Sequence, residues 1–379
     1  MNLRQRSHEF FFKERQAARR VVFEKRTWER RPPSELLLSI FLFTFFSSFS
    51  SSSFASTISV MSYNVENLFD TENDPDKIDE TFLPRKVKAE QRLCKDVKPA
   101  WRKLECETLD WNDKVVDQKM RQLSKVILSY KSGENLGADV VVIPELENIY
   151  ILNLLNDRYL GKAGYTTVEL LEGPDVRGID VGVLSRFPLS SDSKLHAVKW
   201  RKAYPVPTRP TRSILEVNLS VGKGLTMAVF GVHFPSPSHS TEERMDAFDA
   251  LNAAVEKSRA DLIVSAGDFN VTAAEGSRLY RAYSYDKWMF SHVVGCEHCI
   301  GTNYYKPFGK KDARDSWSFL DAIALSKKSA SRFSMVNIDV WNKLEGITEG
   351  KIKKPFRFNP SQGSGFSDHF PVVAKFKLK

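Results

Sequence analysis

The sequence predicts a single α/β domain built on mixed β-sheets, and three observations carry that expectation. Short apolar runs closed by Gly, Asp, Asn or Pro recur along the chain. Stretches of helical periodicity lie between them. No internal repeat or linker divides residues 56–379. In chain order, strands are expected at Ile58–Tyr63, Val140–Ile143, Val181–Leu184, Ile214–Val221, Thr226–Val232, Leu262–Ala266, Leu320–Leu325 and Val372–Phe376. Helices are expected at Asp117–Tyr130 and Glu242–Arg259. In the second, Met245, Phe248, Leu251 and Val255 recur every three or four residues, and Ser240 offers an N-cap. The charged, irregular segment Glu72–Asp113 reads as an elaborated loop.

A chain of 379 residues can bury a full core. Its 42% hydrophobic, 12% aromatic and 27% charged residues exclude a disordered polypeptide. The formal charge of +9 is concentrated at the N-terminus: residues 1–55 hold ten Lys and Arg against five Asp and Glu, which leaves +4 for the rest. That surplus is compatible with a polyanionic partner without demanding one.

Residues 1–55 are set apart from the fold. A basic stretch ends at Arg30-Arg31-Pro32-Pro33, and L-L-L-S-I-F-L-F-T-F-F follows from Leu36 to Phe46. That apolar run is too short to span a bilayer as a helix. With the small residues Ser53 and Ala55 behind it, Leu36–Ala55 reads as a secretory signal, and a secreted, periplasmic or cell-surface protein is expected. An uncleaved anchor is the alternative. No Met lies between Met1 and Met61, so an alternative start codon is a second one. An even cysteine count suits export, and the simplest pairing is Cys94–Cys106 with Cys296–Cys299. Cys296, His298 and Cys299 lack a fourth ligand for zinc.

Polar residues gather where strands end. Asn64-Val65-Glu66-Asn67 follows the first expected strand, and Glu145-Leu146-Glu147 follows Val140–Ile143. His233 follows Thr226–Val232, Asp268-Phe269-Asn270 follows Leu262–Ala266, and Asp368-His369 precedes the last strand. Any one of these could be a turn residue or helix cap. Five together point to a site at one edge of the sheets. Carboxylates and amides are hard donors suited to Mg²⁺, Mn²⁺ or Ca²⁺, and separate histidines suit proton transfer or charge stabilisation. The phosphate-loop, dinucleotide and nucleophile-elbow motifs are missing. Metal-assisted attack of water on a phosphoester fits this inventory.

From about Ser59 to Lys375 the chain resembles the endonuclease/exonuclease/phosphatase superfamily. That group includes deoxyribonuclease I, abasic-site endonucleases, neutral sphingomyelinases and inositol-polyphosphate 5-phosphatases. The resemblance rests on S-Y-N-V-E-N-L-F-D, P-E-L-E-N, G-I-D-V-G-V-L-S-R, V-H-F-P-S, G-D-F-N, W-S-F-L-D and S-D-H-F-P-V, in that order. It is nearest to secreted bacterial members. It implies a four-layer α/β sandwich, two mixed sheets face to face with helices outside. It further implies that Asn64 positions phosphate or metal, and that Glu145, with Glu66 or Asp368, holds the divalent ion. Asp268 would orient or deprotonate water and Asn270 would contact the phosphate. His369 would bond the scissile phosphate, oriented by Asp321. His233 would be the second histidine on the phosphate, paired with Asp180. Pro144 stands where many members have Gln, and Val271 where close relatives have Asp. Neither removes a reacting group.

On the choice of substrate, the expectation is an exported Mg²⁺-dependent endonuclease, a monomer acting on nucleic acid. Asp321 is followed by Ala322 rather than Arg, which argues against the inositol-phosphatase branch. The aromatic segment Tyr280, Tyr283, Tyr285, Trp288, Met289 and Phe290 reads as core, with a lipid surface or base-stacking platform as alternatives. The basic stretches Lys306–Arg314 and Lys351–Arg357 read as solvated loops or as tracks for a nucleic-acid backbone. A phospholipid or small-molecule phosphoesterase, and a non-catalytic surface binding protein on the same fold, are the competing readings.

Overall fold

Two stretches of the chain each run strand, helix, parallel strand, and these two units seed two six-stranded sheets. In one, Thr57–Ser62 pairs in parallel with Val140–Leu146. In the other, Leu225–His233 pairs in parallel with Leu262–Asp268. Parallel neighbours need a crossover, and the expected helices supply it as Asp113–Ser129 and Thr241–Lys257. The remaining pairings are antiparallel, so both sheets are mixed. The first sheet runs Phe333–Val340, Val372–Leu378, Thr57–Ser62, Val140–Leu146, Asp180–Ser185, Thr167–Glu169. The second runs Trp288–Phe290, Asp321–Ser326, Leu262–Asp268, Leu225–His233, Ile214–Gly222, Leu189–His196. This computed structural model describes residues 57–202, 210–284, 286–295, 299–305 and 317–379.

Successive side chains of a strand point to opposite faces, which divides the buried residues into three layers. Ile58, Val60, Val140, Val142, Val181 and Val183 meet Val217, Leu219, Met227, Val229, Val264 and Ile323 between the sheets. Met61, Val141 and Ile143 face Met120, Leu123 and Ile127 of the first crossover helix. Ala228, Phe230, Val232 and Ile263 face Phe248, Leu251 and Val255 of the second. The result is the expected four-layer sandwich. Ser240 caps the second helix in a reciprocal capping box with Glu243.

Some elements differ from expectation. Glu72–Asp113 contains the helices Arg85–Gln91 and Ala100–Thr108, tied by a Cys94–Cys106 disulfide. Cys299 is also disulfide-bonded, whereas Cys296, the segment Leu36–Ala55 and Lys306–Arg314 lie outside the described residues. Leu189–His196 and Phe333–Val340 are edge strands that sequence reading passes over. The aromatic segment is core where described: Trp288 and Phe290 are buried, and Phe290 packs edge-on to Phe248 and Phe269. Among the described residues no helix is long and apolar enough to cross a membrane.

Candidate active site

Register in the second sheet places three site residues abreast. Asp268 lies opposite His233 on one neighbouring strand and opposite Asp321 on the other. Gly267 makes the approach possible. Its φ is +143°, and a Cβ there would sit 2.0 Å from the Val232 carbonyl oxygen. In the first sheet, register slips between Pro144 and Leu146, a bulge that puts Glu145 at φ 68°. Bulges re-aim side chains, and this one turns Glu145 toward the acids of the other sheet. Positive φ recurs at Glu66, Asn67 and Asn270, a clustering of sparsely populated backbone found at functional sites.

Asn64 ties the two sheets together. Its Nδ2 donates to Glu145 Oε1 at 3.3 Å and to Asp268 Oδ2 at 3.1 Å, and its Oδ1 accepts from the Glu66 N–H. Ser367 Oγ donates to the Asn64 carbonyl at 2.7 Å and accepts from the His369 N–H, which fixes the loop carrying Asp368 and His369. His369 Nδ1 lies 2.6 Å from Asp321 Oδ2, so the carboxylate sets the tautomer of the imidazole. Asp268 Oδ1 accepts from the Asn270 N–H at 2.8 Å.

The two histidines are held in opposite charge states. Burial opposes charge on His369, but Asp321, Asp368 and Asp268 outweigh it and lift its pKa well above the ordinary value. Burial, reinforced by Arg212, Arg177 and His369, holds His233 well below it. Asp268 is pushed up to about 8, by burial first and then by Asp321. Groups with environments this different separate acid and base roles. Glu145, His233, Asp268, Asn270 and His369 share a cleft of about 210 Å³.

The expected set needs two corrections. His233 is not paired with Asp180: the Asp180 carboxylate accepts from the Gly173 N–H at 3.0 Å, while His233 Nδ1 is buried without a hydrogen-bond partner among the described residues. The nearest acids to His233 Nε2 are Glu145 at 3.6 Å and Asp268 at 3.8 Å. Glu145, Glu66 and Asp368 are not gathered as one ligand group. The His and acid group drawn within 4.8 Å among the described residues is Asp268, Asp321 and His369. Glu66 is taken by the Arg357 guanidinium and the Phe358 N–H, and Asp368 stands at the partly open rim, 3.8 Å from His369 Nε2. Asn270 lines the cleft and gives one of its two Nδ2 N–H groups to the Phe234 carbonyl at 2.9 Å. Glycine is required before Asp368 for backbone packing: a Cβ on Gly365 would lie 2.1 Å from the Arg357 carbonyl oxygen.

Several residues at the site were missed by sequence reading. Lys119 is fully buried and donates to the Glu66 carbonyl at 2.8 Å, placing a cation under the acids. Arg212 pairs with Asp175 at 3.1 Å and donates to the His233 and Phe234 carbonyls, which pins that strand end. Arg177 lines the cleft. It directly precedes the quoted G-I-D-V-G-V, so proximity to a motif was the available signal.

A model of the Endonuclease/Exonuclease/phosphatase family matches residues 59–97 and 103–378. No curated protein matches the chain. Among solved structures, an endonuclease/exonuclease/phosphatase from Beutenbergia cavernae DSM 12333 aligns at 15% identity and a TM-score of 0.50, covering 85% of this chain and 72% of that one. A family protein from Bacteroides thetaiotaomicron aligns at 13% identity and a TM-score of 0.50, covering 85% and 98%. A functionally unknown conserved protein from Enterococcus faecalis V583 does so at 13% and 0.50, covering 85% and 100%. At these identities the structural likeness concerns the fold alone.

Proposed function

The chain belongs to the endonuclease/exonuclease/phosphatase family, whose members hydrolyse phosphoester bonds, and from that premise we propose that it is a divalent-metal-dependent phosphodiesterase acting as an exported endonuclease. The observation that carries the reading is the row His233, Asp268, Asp321, with His369 held 2.6 Å from Asp321 and Glu145 brought in from the other sheet.

A hard divalent ion fits this cleft. The raised proton affinity of Asp268 and the buried, unpartnered Asp321 Oδ1 mark a cluster of acids short of positive charge. Glu145 and the free Oδ1 of Asp321, with Asp368 at the rim, would hold such an ion, and Mg²⁺ suits their oxygens, with Mn²⁺ or Ca²⁺ as alternatives. When bound, it supplies charge neutralisation at the phosphoester and acidifies water. The protein's own groups do the rest. Asp268, held by the Asn64 Nδ2 and the Asn270 N–H, accepts the proton of the attacking water. His369, cationic and oriented by Asp321, donates a charge-assisted hydrogen bond to the phosphate as its charge grows. His233, kept neutral, borders the same oxygens without repelling His369. Asn64 fixes Glu145 against Asp268.

Plasmid nicking in Mg²⁺ buffer, beside sphingomyelin and bis(p-nitrophenyl) phosphate, tests the reading. We expect nicking that EDTA abolishes and Mg²⁺ restores. Metal-dependent lipid cleavage without DNA or RNA cleavage would replace the nuclease with a phospholipid hydrolase. No turnover of any ester, unchanged in His369→Ala, would leave a binding protein on this fold.

A further inference from the structure

The cleft that holds Glu145, His233, Asp268 and His369 is also walled by two arginines, and they are not equivalent. Arg212 is spent: its guanidinium binds Asp175 and two backbone carbonyls. Arg177 is open to solvent at the cleft wall, yet the atoms crowding it make burial the main influence lowering its pKa, and its guanidinium makes no hydrogen bond or ion pair among the described residues. Asp175 attracts it through space without bonding its guanidinium, because one carboxylate oxygen is on Arg212 and the other accepts the Arg177 backbone N–H at 2.8 Å. Glu145 attracts Arg177, while Arg212 and Arg102 repel it. Arg102 belongs to the disulfide-tied helix Ala100–Thr108 and likewise has no hydrogen-bonded or ion-paired partner among the described residues. It lies in the stretch between residues 97 and 103 that the family model does not match. Attracted only through space by Glu145 and Asp175, the Arg177 guanidinium keeps its donors unbonded among the described residues at the cleft wall, and Arg102 adds to the positive field there. The planar fork of Arg suits phosphate oxygens.

We propose that Arg177, supported by Arg102, forms a second anion site beside the hydrolytic centre and takes the phosphate next to the scissile one in a nucleic-acid strand. The proposal rests on the phosphodiesterase reading for its scissile ester and deepens it. A phosphocholine ester offers a cation at the position where these arginines require an anion, so the same site disfavours it. The Cys94–Cys106 bridge gains a purpose as well, since it fixes the helix that presents Arg102.

Calorimetric titration of the full chain with adenosine 3′,5′-bisphosphate and adenosine 5′-monophosphate tests this without requiring turnover. We expect the wild type to prefer the bisphosphate by about tenfold, Arg177→Gln to erase most of that preference, and Arg177→Lys to retain part of it as a point charge. Arg102→Gln should reduce it by about threefold. No preference in the wild type, or an undiminished preference in Arg177→Gln, overturns the site. Tighter binding of inositol 1,4-bisphosphate than of the nucleoside bisphosphate would overturn the nucleic-acid assignment. Loss of ester hydrolysis in the wild type, with the bisphosphate preference intact, would strike the hydrolase reading alone.

Discussion

At His369 burial and charge oppose each other, and charge wins. Three carboxylates around one imidazole hold its proton well beyond the ordinary range. Replacing it by His369→Gln keeps a hydrogen-bonding side chain and removes the cation, so kcat is expected to fall by about 10²- to 10⁴-fold. Because Asp321 then loses its buried cationic partner, the melting temperature should fall too, and circular dichroism at the assay temperature separates that from the loss of turnover. Asp180 supplies the contrasting prediction. Burial raises its pKa to about 6 from 3.8, against the Gly173 N–H and Lys77, which lower it. Between those values the folded state holds the proton more tightly, so stability falls as pH rises from about 3.8 to 6 and stays low above. The loss is at most about 3 kcal/mol. Asp180→Asn keeps an acceptor for Gly173 and removes the charge. It should flatten that slope relative to wild type, raise the melting temperature at pH 7.5 and change activity by less than about threefold. A hundredfold loss would return Asp180 to the catalytic set. The sequence made Asp321 and His369 legible because each sits in a local motif. It hid the fate of Glu66, whose partner Arg357 lies 291 residues away, and the isolation of His233 Nδ1, which depends on which neighbours are absent.

At the scale of elements, what the sequence revealed depended on burial. The eight expected strands are apolar runs or alternate apolar with polar residues, as Ile214–Gly222 does, and each appears within a few residues of its expected bounds. Leu189–His196 carries Ser190, Ser191, Asp192, Ser193 and Lys194 in its middle and is mostly exposed and twice bulged against its neighbour, so neither hydrophobicity nor strict alternation announces it. Polar, irregular edges are how sheets avoid further pairing. The helices Arg85–Gln91 and Ala100–Thr108 are short, and tertiary bonds hold them: Lys88 Nζ donates to the Thr81 and Leu109 carbonyls, and the disulfide closes the turn between the helices. A bridge across so short a loop is worth about 3 kcal/mol. Reduction, or Cys94→Ser with Cys106→Ser, should lower the melting temperature by roughly 2–5 °C. Differential scanning calorimetry decides it, and an unchanged transition would mean that the hairpin contributes nothing to cooperative stability.

At the scale of the whole molecule, the site exists because two similar units face each other. Each contributes a parallel strand pair and its crossover helix, and the ends of those strands meet where Asn64 of one sheet bonds Glu145 beside it and Asp268 of the other. The order of motifs in the sequence disclosed this arrangement, but the register that aligns His233, Asp268 and Asp321 required the sheet. The three apolar layers draw on residues from Ile58 to Phe376, and Ser52–Lys379 forms one compact unit. We therefore expect residues 56–379, produced alone, to unfold in one cooperative transition at the temperature of the full chain. Removing residues 1–55 also lowers the formal charge from +9 to +4. Long-range attraction to a polyanion should weaken and its salt dependence flatten, while kcat on a short oligonucleotide at saturation stays the same, because every group of the site remains. A truncated chain that aggregates, or one whose kcat falls with its charge, would show that the basic leader belongs to the working enzyme.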